Sequence, residues 1–459
     1  MTVVILRRRF SPPTSLAWLA LIFFLPEVGL AVYLLVGVSY LGRRRARSHR
    51  QFMGVVRTPA RLTEMQAYIE RPEVLPEQEN MIIHAEQISG NPIVGGNDVE
   101  LLPEASGFID KLIRDIDTAR RHVHLLYYIY WPDAVGRQVS EALKRAAGRG
   151  VQCRLLVDAA GSRSLFRSEM AAEMAAAGVE VQPALPVAPW RRKLARIDLR
   201  NHRKIAVIDG RVAYTGSHNI VVEDYGHKRA GKWIDLSARL TGPVVSQLQF
   251  AFLDDWTFET GRRLSGPDLF PPLESVGRTA AQVVPTGPNH EAETFRRVLL
   301  AALNSARRKI IITTPYLVPD EPTTLALSMA VDRGVEVAVI VPEKSDHPIV
   351  AAAGRWHFDQ LMDAGVGIFT YCGGMLHAKT ITVDDAFALL GSANIDVRSF
   401  YLNFEINVLL YGPNITHLLR FAQQRYLSQC KALSLREWRR RPLTSQYLES
   451  AAALLSPLL

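Results

Sequence analysis

Hydrophobic positions along this chain fall into two kinds of pattern. Residues 16–41, from Leu16 to Leu41, are almost wholly apolar, whereas from about residue 98 onward short apolar runs alternate with amphipathic stretches. The second pattern repeats. DTARRHVHLLYYIYWPD at 117–133 is answered by NSARRKIIITTPYLVPD at 304–320, and RGVQCRLLVDAAGS at 149–162 by RGVEVAVIVPEKSD at 333–346. Each pair reads as the end of a helix, a buried strand, a helical stretch, then Gly-Val and a second buried strand. Such alternation predicts an α/β fold with both faces of the sheet largely covered. Two copies predict two similar domains, residues 98–270 and 281–459, joined across the proline- and glycine-bearing stretch Pro267–Pro285. Met170–Gly178 reads as a helix ended by its glycine, and residues 51–97, with Pro59, Pro72, Pro76 and Pro92, as a connector with limited helix.

The N-terminal apolar run reaches the roughly 20 residues that cross a bilayer as a helix. Trp18 lies near one end, with Tyr33 and Tyr40 toward the other. Arg7, Arg8 and Arg9 precede the run, and Arg43, Arg44, Arg45 and Arg47 follow it, as suits a headgroup interface. Pro26, Glu27 and Gly29 interrupt the middle, where a charge is costly and a helix tends to kink. Positive flanks on both sides fit a kinked span and a re-entrant hairpin alike, so the orientation stays open. Arginines, rather than a small-residue cleavage site, follow the run and argue against a cleaved signal peptide. Residues 1–50 are expected to form a membrane segment.

The rest of the composition narrows the picture less. The chain has 459 residues, enough for two domains, and its hydrophobic fraction of 48% fits a mostly water-soluble body. A formal net charge of +9 suits an anionic partner, phospholipid or nucleic acid, without choosing between them. Cys153, Cys372 and Cys430 are odd in number and widely spaced, which excludes a disulfide framework or zinc pattern and predicts buried free thiols. No cluster has convincing metal-ligand spacing, so neither a metal nor another cofactor is expected.

The candidate chemistry sits in matching places of the two repeats. The first half carries His202-Arg203-Lys204, Asp209 and Gly216-Ser217-His218-Asn219; the second carries His377-Ala378-Lys379, Asp384 and Gly391-Ser392-Ala393-Asn394. Both obey HxKx4Dx6GSxN. Ile205–Ile208 and Thr380–Val383 are strand-like, so each histidine shares a face with its lysine two residues on. A turn at Asp-Gly or Asp-Asp then predicts a hairpin that returns Ser and Asn beside them. A lone histidine in an apolar strand is usually a satisfied core residue; two complete copies in an internal repeat point to chemistry. Two lysines and two asparagines could bind the nonbridging oxygens of a phosphodiester and stabilise the charge that grows there. Two histidines on opposite sides provide in-line attack by one and protonation of the leaving alkoxide by the other.

These paired motifs resemble those of the phospholipase D superfamily, in which two halves form one active site at their interface. RNHRKIAVIDGRVAYTGSHNI, KWIDLSARLTGPVV and GGMLHAKTITVDDAFALLGSANIDVRSFYLNFEINVLLY are similar to segments of bacterial cardiolipin synthases, as is the proline-interrupted AWLALIFFLPEVGLAVYLLVG. The resemblance implies two phospholipase D-like α/β sandwich domains with a shared site. It also implies phosphatidyl transfer between two phosphatidylglycerol molecules through a phosphohistidine, with release of glycerol. His202 would be the nucleophile and His377 the general acid and then base, roles that the near-symmetry allows to be exchanged. Lys204, Lys379, Asn219 and Asn394 would bind phosphate, helped by Ser217 and Ser392, while Asp235 and Glu405 would orient the histidines. Asp209 and Asp384 belong to the catalytic motif, although as turn residues they read at least as well as structural. The implied partners are phospholipids and a bacterial inner membrane, with no nucleic acid; oligomeric state stays open.

Two departures stand out. Relatives often carry two N-terminal apolar spans where one run is visible here, and position 218 is histidine where glutamine is common. Arg191, Arg192, Lys193, Arg196 and Arg200 precede the first motif and suit either anionic lipid or plain solvation. Trp438, Arg439–Arg441 and Leu448–Leu459 suit either an interfacial element or packing on the body. Two other functions share the motif: a hydrolase that transfers phosphatidyl to water, and a membrane-tethered nuclease.

Overall fold

The computed structural model describes residues 2–7, 12–36, 64–186, 198–226, 230–290, 293–454 and 456. Tyr40, Leu41, the flanking arginines other than Arg7, and Arg191, Arg192, Lys193 and Arg196 lie outside the described residues.

The N-terminal run breaks where its proline stands. Helices α1 (Pro12–Phe24) and α2 (Pro26–Val36) fold back on each other, with the Trp18 and Tyr33 rings edge to face at 5.1 Å. Proline suits the first turn of α2, where an N–H would have no partner. Gly29 allows the close approach, because a Cβ there would lie 2.8 Å from the Leu21 carbonyl oxygen. Phe23, Phe24, Leu25 and Val28 are exposed at the bend. Among the described residues no helix is long and apolar enough to cross a membrane. The 13 residues of α1 rise about 20 Å, short of the ~30 Å hydrocarbon core.

Helix α3 (Pro76–Ser89) follows, within the stretch expected to be a connector, and buries Met81, Ile82 and Ala85 against the second half of the molecule. The first half then runs β1 (Val94–Leu102), α4 (Ala105–Thr118), β2 (His122–Tyr127), α5 (Ala134–Gly148), β3 (Gln152–Asp158), β4 (Glu180–Ala184), β5 (Ile205–Ile208), β6 (Val212–Gly216), β7 (Ser237–Thr241) and α6 (Val244–Thr260). The second half repeats it with β8 (Thr279–Thr286), α7 (Thr294–Ser305), β9 (Lys309–Thr313), α8 (Glu321–Asp332), β10 (Glu336–Pro342), α9 (Pro348–Asp363), β11 (Gly367–Tyr371), β12 (Thr380–Val383), β13 (Phe387–Gly391), β14 (Glu405–Tyr411) and α10 (Pro413–Leu427). Strand β15 (Cys430–Ala432) and helix α11 (Leu443–Ala453) complete the described chain.

The halves are fused into one 15-stranded mixed sheet. Its order is β4-β3-β2-β5-β6-β7-β1 in the first half and β8-β14-β13-β12-β9-β10-β11 in the second, with β15 on the edge. Antiparallel β1 and β8 form the seam, where Val94 faces Ala281. Strands β2 and β5 are buried at every position, as expected of a sheet covered on both faces. In α4, Phe108, Ile109, Leu112 and Ile116 make the apolar stripe of an amphipathic helix. Both copies of the Pro-Asp pair start a helix: Asp133 accepts from the Gly136 N–H and Asp320 from the Thr323 N–H. One core crosses the seam, joining Phe252 and Trp256 of α6 with Leu419 and Tyr426 of α10, while the outer helices cover separate cores.

All three thiols are free, but only Cys153 is buried. The expectation of buried thiols fails at Cys372, which is exposed just beyond strand β11, and at the half-exposed Cys430 on edge strand β15. The C-terminal segment packs on the body. Trp438 meets Phe358 at 5.3 Å, Arg439 pairs with Asp359 and Asp363, and α11 lies along α9.

Candidate active site

Each motif folds as the spacing predicts. Strand β5 pairs antiparallel with β6, and β12 with β13, so Gly-Ser-x-Asn returns beside His-x-Lys. The glycine is required by crowding. A Cβ on Gly216 would stand 2.5 Å from the Leu236 carbonyl oxygen, and one on Gly391 2.4 Å from that of Ile406.

The turn aspartates do something else. Asp209 accepts from the N–H groups of Arg120, Arg121 and His122 at 2.7–2.9 Å. Asp384 accepts from Arg307, Arg308 and Lys309 at 2.8–2.9 Å, and from the Gln78 amide of α3 at 3.1 Å. Each therefore ties its hairpin to the start of a neighbouring strand, at the far end of β5 or β12 from the histidine. Asp209 and Asp384, grouped with the catalytic residues by their motif, thus face backbone donors, and Asp384 the Gln78 amide as well, in the structural role that the turn also allowed.

The two histidines meet across the seam, and their carboxylates are exchanged. His202 Nδ1 lies 3.0 Å from Glu405 Oε2 of the second half, whereas His377 Nδ1 lies 2.6 Å from Asp235 Oδ1 of the first. Backbone bonds enforce the exchange. The His202 N–H donates to the Phe404 carbonyl at 2.9 Å and the His377 N–H to the Ile234 carbonyl at 2.8 Å, so each histidine is laced to the residue preceding the other half's carboxylate. Trp233–Ile234 also pairs with Met375–Leu376 as a small parallel ladder. A carboxylate on Nδ1 fixes the tautomer and leaves Nε2 for chemistry.

Both lysines are buried and donate to the carbonyl oxygen of their own histidine, Lys204 at 2.7 Å and Lys379 at 2.6 Å. Among the described residues neither lysine lies in an ion pair, and a bound anion would favour the charged form of both. Burial lowers Lys204 to about 8 and Lys379 well below its ordinary value. Burial likewise lowers both imidazoles to about 4, the nearby ammoniums adding to it and the carboxylates opposing it. Burial opposes ionisation of Asp235 and Glu405, yet the adjoining histidines and lysines outweigh it and hold both carboxyls below their ordinary value.

The remaining residues are placed unevenly. Asn219 accepts from the Ile129 N–H at 3.2 Å and donates to the Tyr225 hydroxyl at 3.3 Å, while Asn394 donates to Asp396 at 3.1 Å. One amide hydrogen on each remains for a ligand. Ser392 donates to Glu405 at 2.5 Å, but Ser217 donates to the Leu236 carbonyl at 3.2 Å instead. His218 turns into the first-half core, stacked on Phe108 at 4.7 Å, with Nδ1 on the Ser237 hydroxyl at 3.0 Å; burial lowers its pKa. Arg200 pairs with buried Asp158 at 3.5 Å.

Several neighbours escaped the sequence reading. Tyr128 meets the His202 ring edge to face at 4.8 Å, and Trp233 does so to His377 at 4.7 Å. Ser399 and Asn403 donate to Glu405 at 3.1 and 3.2 Å. Trp233 and Asn403 stand two residues before their carboxylates, a signal the motif spacing could have offered.

The family model described as "Cardiolipin synthase, PLD-like domain" matches residues 112–230 and 299–425, one stretch in each half. A second, described as "Phospholipase_D-nuclease N-terminal", matches residues 1–37. Cardiolipin synthase A of Yersinia pseudotuberculosis and of Yersinia pestis are each 39% identical to this chain, over 100% of it and 96% of their own length. Among solved structures, phosphatidylserine synthase of Haemophilus influenzae is similar in fold, with TM-score 0.61 at 15% identity over 83% of this chain and 100% of that one. Polyphosphate kinase of Porphyromonas gingivalis is more distantly similar, with TM-score 0.51 at 13% identity over 78% and 53% of the two chains. The chain belongs to the cardiolipin synthase family of phospholipase D-like proteins.

Proposed function

We propose that this protein is a phosphatidyltransferase that makes cardiolipin from two molecules of phosphatidylglycerol, releasing glycerol. The observation that carries the reading is the full-length likeness to cardiolipin synthases together with two complete histidine–lysine motifs. In the first step His202 Nε2 attacks phosphorus, the bond to the headgroup oxygen breaks, and His377 gives that oxygen a proton. In the second step His377 takes the proton from the hydroxyl of the second phosphatidylglycerol, whose oxygen displaces His202. The unliganded imidazoles are neutral, but a bound phosphodiester offsets the two ammoniums and moves His377 back toward protonation. Lys204, Lys379, Asn219 and Asn394 hold the nonbridging oxygens, and Asp235 and Glu405 orient the rings. Residues 98–270 and 281–459 act as the two repeats of one catalytic body. The apolar helical hairpin α1–α2 enters the inner membrane of a bacterium from one side, which keeps the site at the lipid surface.

The test is to incubate purified, detergent-solubilised protein with labelled phosphatidylglycerol and separate the lipid products. Cardiolipin with free glycerol is expected, and His202→Ala and His377→Ala should each lower it by about 10⁴-fold, the scale seen when paired catalytic groups are removed. Phosphatidic acid as the sole product would make water the acceptor and the protein a hydrolase.

A further inference from the structure

The internal repeat fails where a transferase must distinguish what enters from what stays. Position 162 of the first half is serine, and its hydroxyl is spent on the backbone, accepting from the Tyr130 N–H at 2.9 Å and donating to the Tyr128 carbonyl at 3.0 Å. The matching position of the second half is Asp346. Its carboxylate instead accepts from the Tyr316 hydroxyl at 2.7 Å and touches exposed His347 at 3.2 Å. The side chain keeps about 10% of its surface open.

Asp346 borders the His377 side of the site through a continuous set of rings. Trp233 meets His377 at 4.7 Å, Tyr225 stacks on Trp233 at 4.2 Å, and Tyr316 packs on that same cluster while holding Asp346. Tyr225 also accepts from the motif residue Asn219, which leaves its own O–H to donate. Burial raises both phenols well above their ordinary values, the charge of Asp235 adding most for Tyr225 and that of Asp346 most for Tyr316, so both are neutral donors. Among the described residues the ring facing His202 is Tyr128, and the counterpart of Trp233 there is Asn403.

We propose that Asp346, with Tyr316 and Tyr225, forms a subsite that reads the second hydroxyl of a vicinal-diol headgroup whose first hydroxyl is the attacking group at His377. A carboxylate accepts from an alcohol O–H more strongly than a neutral oxygen does. A site built to bond a hydroxyl discriminates sharply against the analogue lacking it, because its own polar groups are left unpaired. The rings give the three-carbon backbone of the headgroup an apolar wall. This inference rests on the transfer reading and on His377 serving the alcohol.

The experiment measures the full chain in mixed micelles with labelled phosphatidylglycerol as donor and 1,2-propanediol or 1-propanol as added acceptor. The quantity is the ratio of phosphatidyl-propanediol to phosphatidyl-propanol. Asp346→Asn keeps a carbonyl for Tyr316 and removes the second acceptor, and the ratio should fall at least tenfold. A ratio equal to that of the unaltered protein overturns the subsite, whether or not total turnover falls with it. Should Asp346→Asn fail to fold, Asp346→Ser, the first half's residue, carries the same criterion. Phosphatidylglycerol and free glycerol share the diol; labelled cardiolipin reads the lipid as acceptor, and label exchange into phosphatidylglycerol reads the free alcohol. Absence of every alcohol product from the unaltered protein is a separate result, which overturns the transfer reading on which the subsite depends.

Discussion

The two histidine pockets share a motif and differ in almost everything around it. Glu405 accepts from His202, Ser392, Ser399 and Asn403, so the first pocket is a saturated polar network. Asp235 makes one short contact to His377, and its pocket is walled by Trp233, Tyr225 and Met375. Charge is therefore held in two ways, by many donors on one side and by one imidazole against aromatic surface on the other. A network of that kind pins its ring, which suits the nucleophile proposed for His202. A carboxylate whose main partner is the imidazole responds more directly to that ring gaining or losing a proton.

The largest effect should come from neutralising each carboxylate in turn. Asp235→Asn and Glu405→Gln both remove the anion that orients Nδ1, and each should lower turnover by about 10²–10⁴-fold. They should separate in stability. Glu405→Gln sets an amide among four donors and should cost about 1–3 kcal/mol, while Asp235→Asn should cost less. Thermal unfolding beside turnover reads both, and equal destabilisation would erase the distinction drawn between the pockets.

A smaller effect follows from the lysines. Lys204 is lowered from 10.5 to about 8 by burial, so its charge is present below that pH and is lost as pH rises through it. A bound phosphodiester favours the charged form, so the affinity for a water-soluble phosphodiester should fall by up to about tenfold per pH unit above 8. Titration calorimetry from pH 6.5 to 9.5 measures it, with Lys204→Met expected to be weaker throughout and flatter above pH 8. An affinity that stays level to pH 9.5 would mean that Lys204 does not sense the anion.

Much of this was legible in the sequence, for a local reason. HxKx4Dx6GSxN is one hairpin of 18 residues, and a hairpin's geometry is set by alternation and turn chemistry within its own length. The repeat likewise announced an α/β fold, since covered strands and amphipathic helices carry their own periodicities. The exchange of carboxylates was not legible. Asp235 and Glu405 each follow their own motif closely in sequence, and only the lacing of His202 to Phe404 and His377 to Ile234 carries each across the seam. The sharing of one sheet was hidden as well, because strands β1 and β8 meet through backbone bonds that leave no mark in the side-chain pattern. The turn aspartates, which read as structural at least as well as catalytic, show why a motif letter alone does not decide: it marks recurrence, and hairpin anchoring recurs as faithfully as chemistry.

The smallest expected effect tests whether the Glu405 network is more than packing. Ser399 donates to Glu405 Oε1 at 3.1 Å and accepts from the Asn394 N–H at 3.1 Å, so it ties the carboxylate to the Gly391–Asn394 loop. Ser399→Ala removes both bonds while leaving Ser392, Asn403 and His202 on the carboxylate. It should cost about 1–2 kcal/mol of stability and lower turnover only a few-fold. Asn403→Ala, which removes a donor without touching that loop, should cost stability to a similar extent and leave KM closer to its starting value. If the two variants changed KM alike, Ser399 would act through Glu405 alone, and the first pocket would owe its rigidity to the carboxylate rather than to the loop it holds.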